Sequence, residues 1–345
     1  MASQLIHSLA PRAEACDTGN KYDGRMGVRI SSVFVIWFAS TFGAVFPVMA
    51  RHLSSSGVPK WAFFIAKYFG SGVIIATAFI HLLAPAEEAL TNECLTGPIT
   101  EYSWVEGIIL MTVVVLFFVE LMVMRYARFG ASHAHEAVGD HNPTVVEAPM
   151  HDSKDHIPGQ DHLGHSREHV DEEAGLKERV EEYMAQLTSV FILEFGVIFH
   201  SVFIGLTLAV SGDEFVTLYI VLVFHQMFEG LGLGSRLAMI PWPRSKRWTP
   251  YLLGVAYGLS TPIAIAIGLG VRNSYPPEGY TTLIVNGVFD SISAGILIYT
   301  ALVELMAHEF MFSTSMRQAP IHEVLAAFFL LCLGGLLMAL LGKWA

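Results

Sequence analysis

The 345 residues are 53% hydrophobic and only 15% charged, with a mean hydropathy of +0.51. This excludes an ordinary soluble domain, which carries nearer a quarter charged residues. The net charge of −11 comes mainly from acidic residues outside the apolar blocks, and no basic stripe interleaved with aromatics appears, so nucleic acid is excluded as a partner. The apolar residues fall in blocks of about twenty, the length at which a helix crosses the hydrocarbon layer.

In chain order, a polar tail (1–27) precedes eight predicted spans at 28–50, 60–83, 104–126, 188–210, 215–236, 249–271, 281–305 and 321–342. The expected class is an all-α, multi-pass membrane protein with the lipid bilayer as its partner. Its organisation is three helices (28–128), a long polar insertion (129–187) and five helices (188–345). The first fifteen residues lack a continuous apolar stretch, so the first span is expected to target the chain. Lys and Arg in short loops mark the cytoplasmic side. They place Arg51, Lys60, Arg125, Arg128, Arg236, PWPRSKRW (241–248) and Arg317 inside, and therefore both termini outside. Cys16 and Cys94 then share the outer side and are a candidate disulfide if that side is oxidising, whereas Cys332 reads as a small core residue. Pro47, Gly70, Gly72 and Pro262 punctuate the spans. Ser291, Ser293, Ala294 and Gly295 make the seventh span a close-packing surface.

The insertion holds His133, His135, His141, His151, His156, His162, His165 and His169, more than half of the chain's fifteen histidines. With few apolar residues to fold it, most of it is expected to be disordered on the cytoplasmic side. Its composition suits transition metals, against the plainer reading of a solvated linker. From Glu172 to Leu187 a helical pattern leads into the fourth span.

The spans TSVFILEFGVIFHSVFIGLTLAV (188–210) and FVTLYIVLVFHQMFEGLGLGSR (215–236) carry His200 and Ser201, and His225, Gln226 and Glu229, near their middles. Ionisable groups at that depth are costly, and by default they imply a function. The short SGDE turn (211–214) makes the two spans antiparallel neighbours. His200 and His225 stand equally far from that turn and so reach the same depth. His225 and Glu229, four apart, share one helix face. HSVFIG (200–205) and HQMFEG (225–230) echo one another. Two imidazoles and a carboxylate, with Ser201 and Gln226 as weaker oxygen ligands, suit Zn²⁺ or Fe²⁺ better than Ca²⁺ or Mg²⁺. A metal-free proton relay and a hydrogen-bonded core pair are the alternatives.

At these strings the sequence resembles the ZIP family of divalent-metal transporters. FGVIFHSVFIGLTL and FHQMFEGLGLGS resemble its fourth and fifth helices, GSGVIIATAFIHLLAPA (70–86) its second and SAGILIYTALVEL (293–305) its seventh. The polar flanks EACDTGNKYDGRMGVRI and CLTGPITEYSWVEG resemble the fungal plasma-membrane zinc-uptake branch. The resemblance implies a 3+2+3 arrangement, with inverted repeats (helices 1–3 and 6–8) around the central pair. It also implies metal ligands at His200, His225 and Glu229 with Ser201 and Gln226 beside them, zinc as substrate with no resident cofactor, and plasma-membrane uptake. Ile204 and Gln226 stand where some relatives carry acids, which argues for one ion at a time. The HExPHE motif of another branch is absent.

Among other polar groups, His81 is a candidate pathway ligand or packing residue. Glu87, Glu88, Asp213 and Glu214 form an acidic mouth or a solvated rim. Glu120, Glu194 and Glu304 are candidate exit ligands or interhelical partners, and His308 with Glu309 marks the inner end of the seventh helix. A homodimer and regulatory machinery acting on the insertion are candidate partners. No GxxxxGK[ST] is present, which excludes ATP-driven pumping. A zinc protease would need HExxH, which neither His308-Glu309 nor His322-Glu323 completes. A metal-sensing receptor without transport is the other rival.

Overall fold

The computed structural model describes residues 16–52, 60–136 and 162–344. Among these there is no strand, and eight helical stretches are long and apolar enough to span a membrane. They are Met26–His52, Trp61–Leu90, Trp104–Val123, Gln186–Val210, Phe215–Met239, Arg244–Val271, Tyr280–Gln318 and Ile321–Leu341, referred to below as the first to eighth spans. The chain divides into two compact units, Met1–Leu116 with Ser189–Ala345, and Phe117–Thr188. The site described below lies in the first.

Two spans run well past their expected ends. The second continues to Leu90 through a π-helical segment, Thr77–Leu83, that carries His81. The reason is local. Pro85 lacks the N–H that would bond back to the preceding turn, so the helix widens and restarts with Pro85 in the first turn of Ala84–Leu90. The seventh span continues as a π-helix over Ala301–Phe312, so His308 and Glu309 lie within the helix and do not end it. Glu309 is tolerated there because Lys67 and Arg236 pair with it in the interior. The helix of the third span reaches Glu136, and that of the fourth begins at His162, before the helical pattern read from sequence. His133, His135, His162, His165 and His169 thus fall on helical backbone whose side chains are not described, and His141, His151 and His156 lie outside the described residues.

The first span packs on the fifth and sixth, and the second packs on the fifth, seventh and eighth. Small residues allow these approaches. A Cβ on Gly72 would lie 2.8 Å from the Gly335 nitrogen, and one on Gly205 2.8 Å from the Thr261 carbonyl oxygen, closer than side-chain carbons tolerate. Pro47 and Pro262 are buried within their helices. Ile36, Leu208, Phe215, Leu222 and Ile265 form one core cluster between the first, fourth, fifth and sixth spans.

The fully buried Arg29 ties that cluster to the turn of the central hairpin. Its guanidinium donates to the carbonyls of Leu208 (3.2 Å), Ala209 (2.9 Å) and Ser211 (2.5 Å), which end the fourth span. It also donates to the Asp23 carboxylate at 2.7 Å and lies 4.3 Å over the Phe215 ring. A cation on the last carbonyls of a helix satisfies orphan acceptors and opposes the helix dipole. The same guanidinium holds the Asp23 carboxyl below its usual pKa.

The tail is held down as well. Asn20 donates to the Arg272 and Tyr275 carbonyls, and Lys21 pairs with Glu278 at 3.1 Å. Cys16 and Cys94 are joined in a disulfide across 78 residues of sequence. Cys332, expected in the core, is exposed on the eighth span, because the apolar outer face of that helix is turned outward. We expect Cys16→Ser to lower thermal stability by about 2–4 kcal/mol, the usual effect of closing a long loop. Reductant should destabilise the wild type and leave the variant unmoved; equal sensitivity of both to reductant would contradict the assignment.

Candidate metal centre

Four side chains from four elements meet at one depth. His200 stands ten residues before Val210, His225 ten after Phe215, Asp290 ten after Tyr280 and His81 nine before Leu90. At 1.5 Å per residue each is about 15 Å from the helix end on the disulfide side, half the thickness of the hydrocarbon layer. The His81 and His225 rings are 4.5 Å apart edge to face, and those of His200 and His225 are 5.7 Å apart. His225 Nε2 is 3.8 Å from Glu229 Oε2, and His200 Nδ1 is 3.7 Å from Asp290 Oδ1. Ser201 Oγ lies 3.5 Å from Gln226 Oε1.

All of these residues are buried, and their polar atoms are largely without partners. Both ring nitrogens of His200 and of His225, Gln226 Nε2, Glu229 Oε1 and Asp290 Oδ1 have no hydrogen bond. A buried unpaired polar atom costs about 1–3 kcal/mol, so this density of them is not what an inert core retains. His81 differs, since its Nε2 bonds the Met338 carbonyl at 3.0 Å, which leaves one ring nitrogen for other work. Among the described residues, no three His, Cys, Asp or Glu side chains are already closed into a metal-binding group. The ligand-type atoms lie within about one helical turn of one another along their spans.

Two members of this neighbourhood were not singled out from sequence. Tyr257 of the sixth span donates to the Gln226 carbonyl at 2.7 Å and lies 3.5 Å from Glu229 Oε2, fixing the fifth span beside its carboxylate. Asp290 sits among the small residues read as a packing surface. The signal was present, since a lone carboxylate in the middle of an apolar span meets the same criterion that marked Glu229.

The remaining expected residues lie elsewhere. Glu194 is buried on the fourth span with Oε2 unpartnered, about 9 Å deeper than His200 along the helix. Glu304 pairs with His308 at 3.4 Å, one turn apart. Glu120 is half-buried in the second unit. The four carboxylates expected at the outer face have these surroundings. Glu88 lines a cavity of about 460 Å³ with Asp17, Glu93 and Glu278, and Glu87 lines another of about 250 Å³. Asp213 lies 3.6 Å from Arg25, and Glu214 immediately precedes the fifth span.

Eight helices long and apolar enough to cross a membrane, four of which bring ligand-type side chains together, define the class as a polytopic membrane protein. Residues 26–342 match the family described as ZIP Zinc transporter, and the chain belongs to that family. It is 42% identical to Zinc-regulated transporter 2 of Saccharomyces cerevisiae, over 96% of this chain and 97% of the relative. It is 46% identical to Zinc-regulated transporter 1 of the same yeast, over 95% and 90%. Identity to Zinc-regulated transporter 1 of Schizosaccharomyces pombe is 40%, over 94% and 87%. These are membrane transporters, and the intramembrane metalloenzyme reading is set aside with them.

Proposed function

We propose that the protein takes up zinc, with iron and manganese as further candidate ions, from outside the cell into the cytosol across the plasma membrane. The observation that carries this reading is the buried cluster of unpartnered ligand atoms on His200, His225 and Glu229, with Ser201, Gln226 and His81 beside them, in a chain of the ZIP zinc transporter family. Neutral imidazole nitrogens and a carboxylate are the donor set that borderline divalent ions prefer. An ion arriving from outside sheds water as these atoms replace it. Glu194, deeper on the same helix, offers the next oxygen on an inward route. An inside-negative potential favours the movement by about 2.3 kcal/mol per charge per 100 mV, and by twice that for a divalent ion.

The Cys16–Cys94 disulfide supports placing its side, and the N-terminal tail, outside, since such bonds persist in oxidising surroundings. With an even number of spans the C-terminus lies outside too. Membership of the ZIP zinc transporter family supports a central helix pair flanked by two inverted three-helix repeats. The histidine-rich stretch within 129–187 is read as a cytosolic metal-responsive segment on which regulatory machinery acts. A second copy of the chain is a candidate partner for the exposed apolar outer faces.

The test is uptake of radioactive zinc by cells that express the chain and lack their own zinc importers. The expected result is saturable uptake above vector-only cells, reduced by excess unlabelled zinc, and competition by iron and manganese tests whether they share the route. Uptake no greater than in vector-only cells would sink the transporter reading. Zinc binding without uptake would favour a receptor.

A further inference from the structure

We propose that Asp290 is a positioning residue for His200, a role that deepens the zinc reading above and rests on it. The Asp290 carboxylate accepts the Nδ1–H of His200, which fixes the tautomer whose Nε2 lone pair is left to the ion. Four observations carry the assignment. Asp290 Oδ1 lies 3.7 Å from His200 Nδ1. Both atoms are buried and have no hydrogen-bond partner. Asp290 and His200 stand at the same distance from the ends of their spans, so the pairing is set by helix register. The neighbouring Gly287, Ser291 and Ser293 are small, and Ser291 is occupied with the Gly287 carbonyl at 2.6 Å. The carboxylate is thus left facing the imidazole.

The chemistry follows from the ring. A neutral imidazole carries one N–H and one lone pair, and the hydrogen bond at one nitrogen decides which is which. A carboxylate at Nδ1 selects the Nδ1–H form, orients the ring and raises the basicity of Nε2 toward a metal ion. The present separation exceeds a hydrogen bond by about 0.7 Å. Polar contacts at functional sites are often long in the free protein and tighten in its complexes. Asp290 comes from the seventh span and His200 from the fourth. The pair therefore adds a carboxylate to the site from outside the central hairpin, on the His200 side, as Glu229 serves the His225 side.

The test measures zinc affinity of the purified full-length protein in detergent by equilibrium dialysis against radioactive zinc, separately from transport. Asp290→Asn is expected to weaken binding about 10- to 100-fold, the usual cost of losing an outer partner of a metal-ligating histidine. The decisive measurement is the same substitution in a His200→Ala background, where it should change affinity less than about twofold, because a positioning residue has nothing left to position. Thermal unfolding of each variant checks that the fold persists. Wild-type affinity in Asp290→Asn, or an equal loss with and without His200, would overturn the proposal. A wild type that binds zinc yet moves none would end the transporter reading while leaving this assignment to the affinities alone. A wild type that binds no zinc would overturn both.

Discussion

Replacing His225 or His200 by leucine should reduce zinc uptake about 100-fold or more while the apo protein keeps its thermal stability. Both parts follow from the same observation. Each ring is buried with two nitrogens that have no hydrogen-bond partner, a cost to the fold that the proposed ligand role explains. Loss of an outer partner of a ligand already costs 10- to 100-fold, and loss of a ligand itself stands at or beyond the upper end. Leucine roughly preserves volume and removes atoms whose desolvation costs about 1–3 kcal/mol each. That gain is offset by leaving Asp290 or Glu229 without its neighbour, so stability should stay within about 1 kcal/mol of the wild type. The wild type should also be stabilised by added zinc, by about 2.7 kcal/mol at a hundredfold excess over Kd, and the variants should not. Uptake assayed at matched surface abundance, with unfolding curves at zero and saturating zinc, checks all three. An inert core pair predicts the reverse pattern, with lower stability and normal uptake, and that result would remove the site.

Glu309→Ala is expected to produce the largest loss of stability of any single change here, about 3–5 kcal/mol in thermal unfolding of the purified protein. Glu309 is buried and holds two cations. Lys67 Nζ pairs with its Oε1, and Arg236 Nη1 reaches its Oε2 at 3.2 Å. Tyr68 lies 3.4 Å from Oε1, and Arg236 also donates to Ser71 Oγ at 2.9 Å. Removing the one carboxylate leaves two like charges facing each other without a counterion in a low-dielectric setting, the situation in which breaking a buried pair is costly. Glu309→Gln should fall between, because the amide keeps a hydrogen-bonding oxygen and loses the charge. Replacing all three charged residues together, with Lys67→Met, Arg236→Met and Glu309→Leu, should recover much of the loss. If Glu309→Ala unfolds within about 0.5 kcal/mol of the wild type, the pairs are screened by water and contribute little.

These two predictions also show how unevenly the sequence spoke. The hairpin was legible because SGDE is short and both histidines interrupt otherwise apolar runs at equal distance from it. Helix periodicity then places His225 and Glu229 on one face, and no distant contact is needed for either inference. The Lys67–Glu309–Arg236 group was not legible, because its members come from the second, seventh and fifth spans and only packing brings them together. Asp290 was legible in principle as a carboxylate in an apolar span. Its partner could not be named, because nothing local relates the seventh span to the fourth. Glu87, Glu88, Asp213 and Glu214 stand near one end of their spans, and the sequence leaves a shared acidic mouth and a solvated rim equally open, because nothing local relates the second span to the turn of the hairpin.

The sequence by itself determined the class of protein, the number of spans and the depth at which polar groups sit, because twenty apolar residues make a span and 1.5 Å per residue converts position into depth. Tertiary structure alone decided which faces meet at that depth. It set His81 against His225, His200 against Asp290, Arg29 on the end of the fourth span and Glu309 between two cations, because helix rotation and neighbour choice depend on how small and large side chains interlock across spans. Within the bilayer every unpaired charge is costly, so the packing that buries each of these groups also sets which partners it can reach.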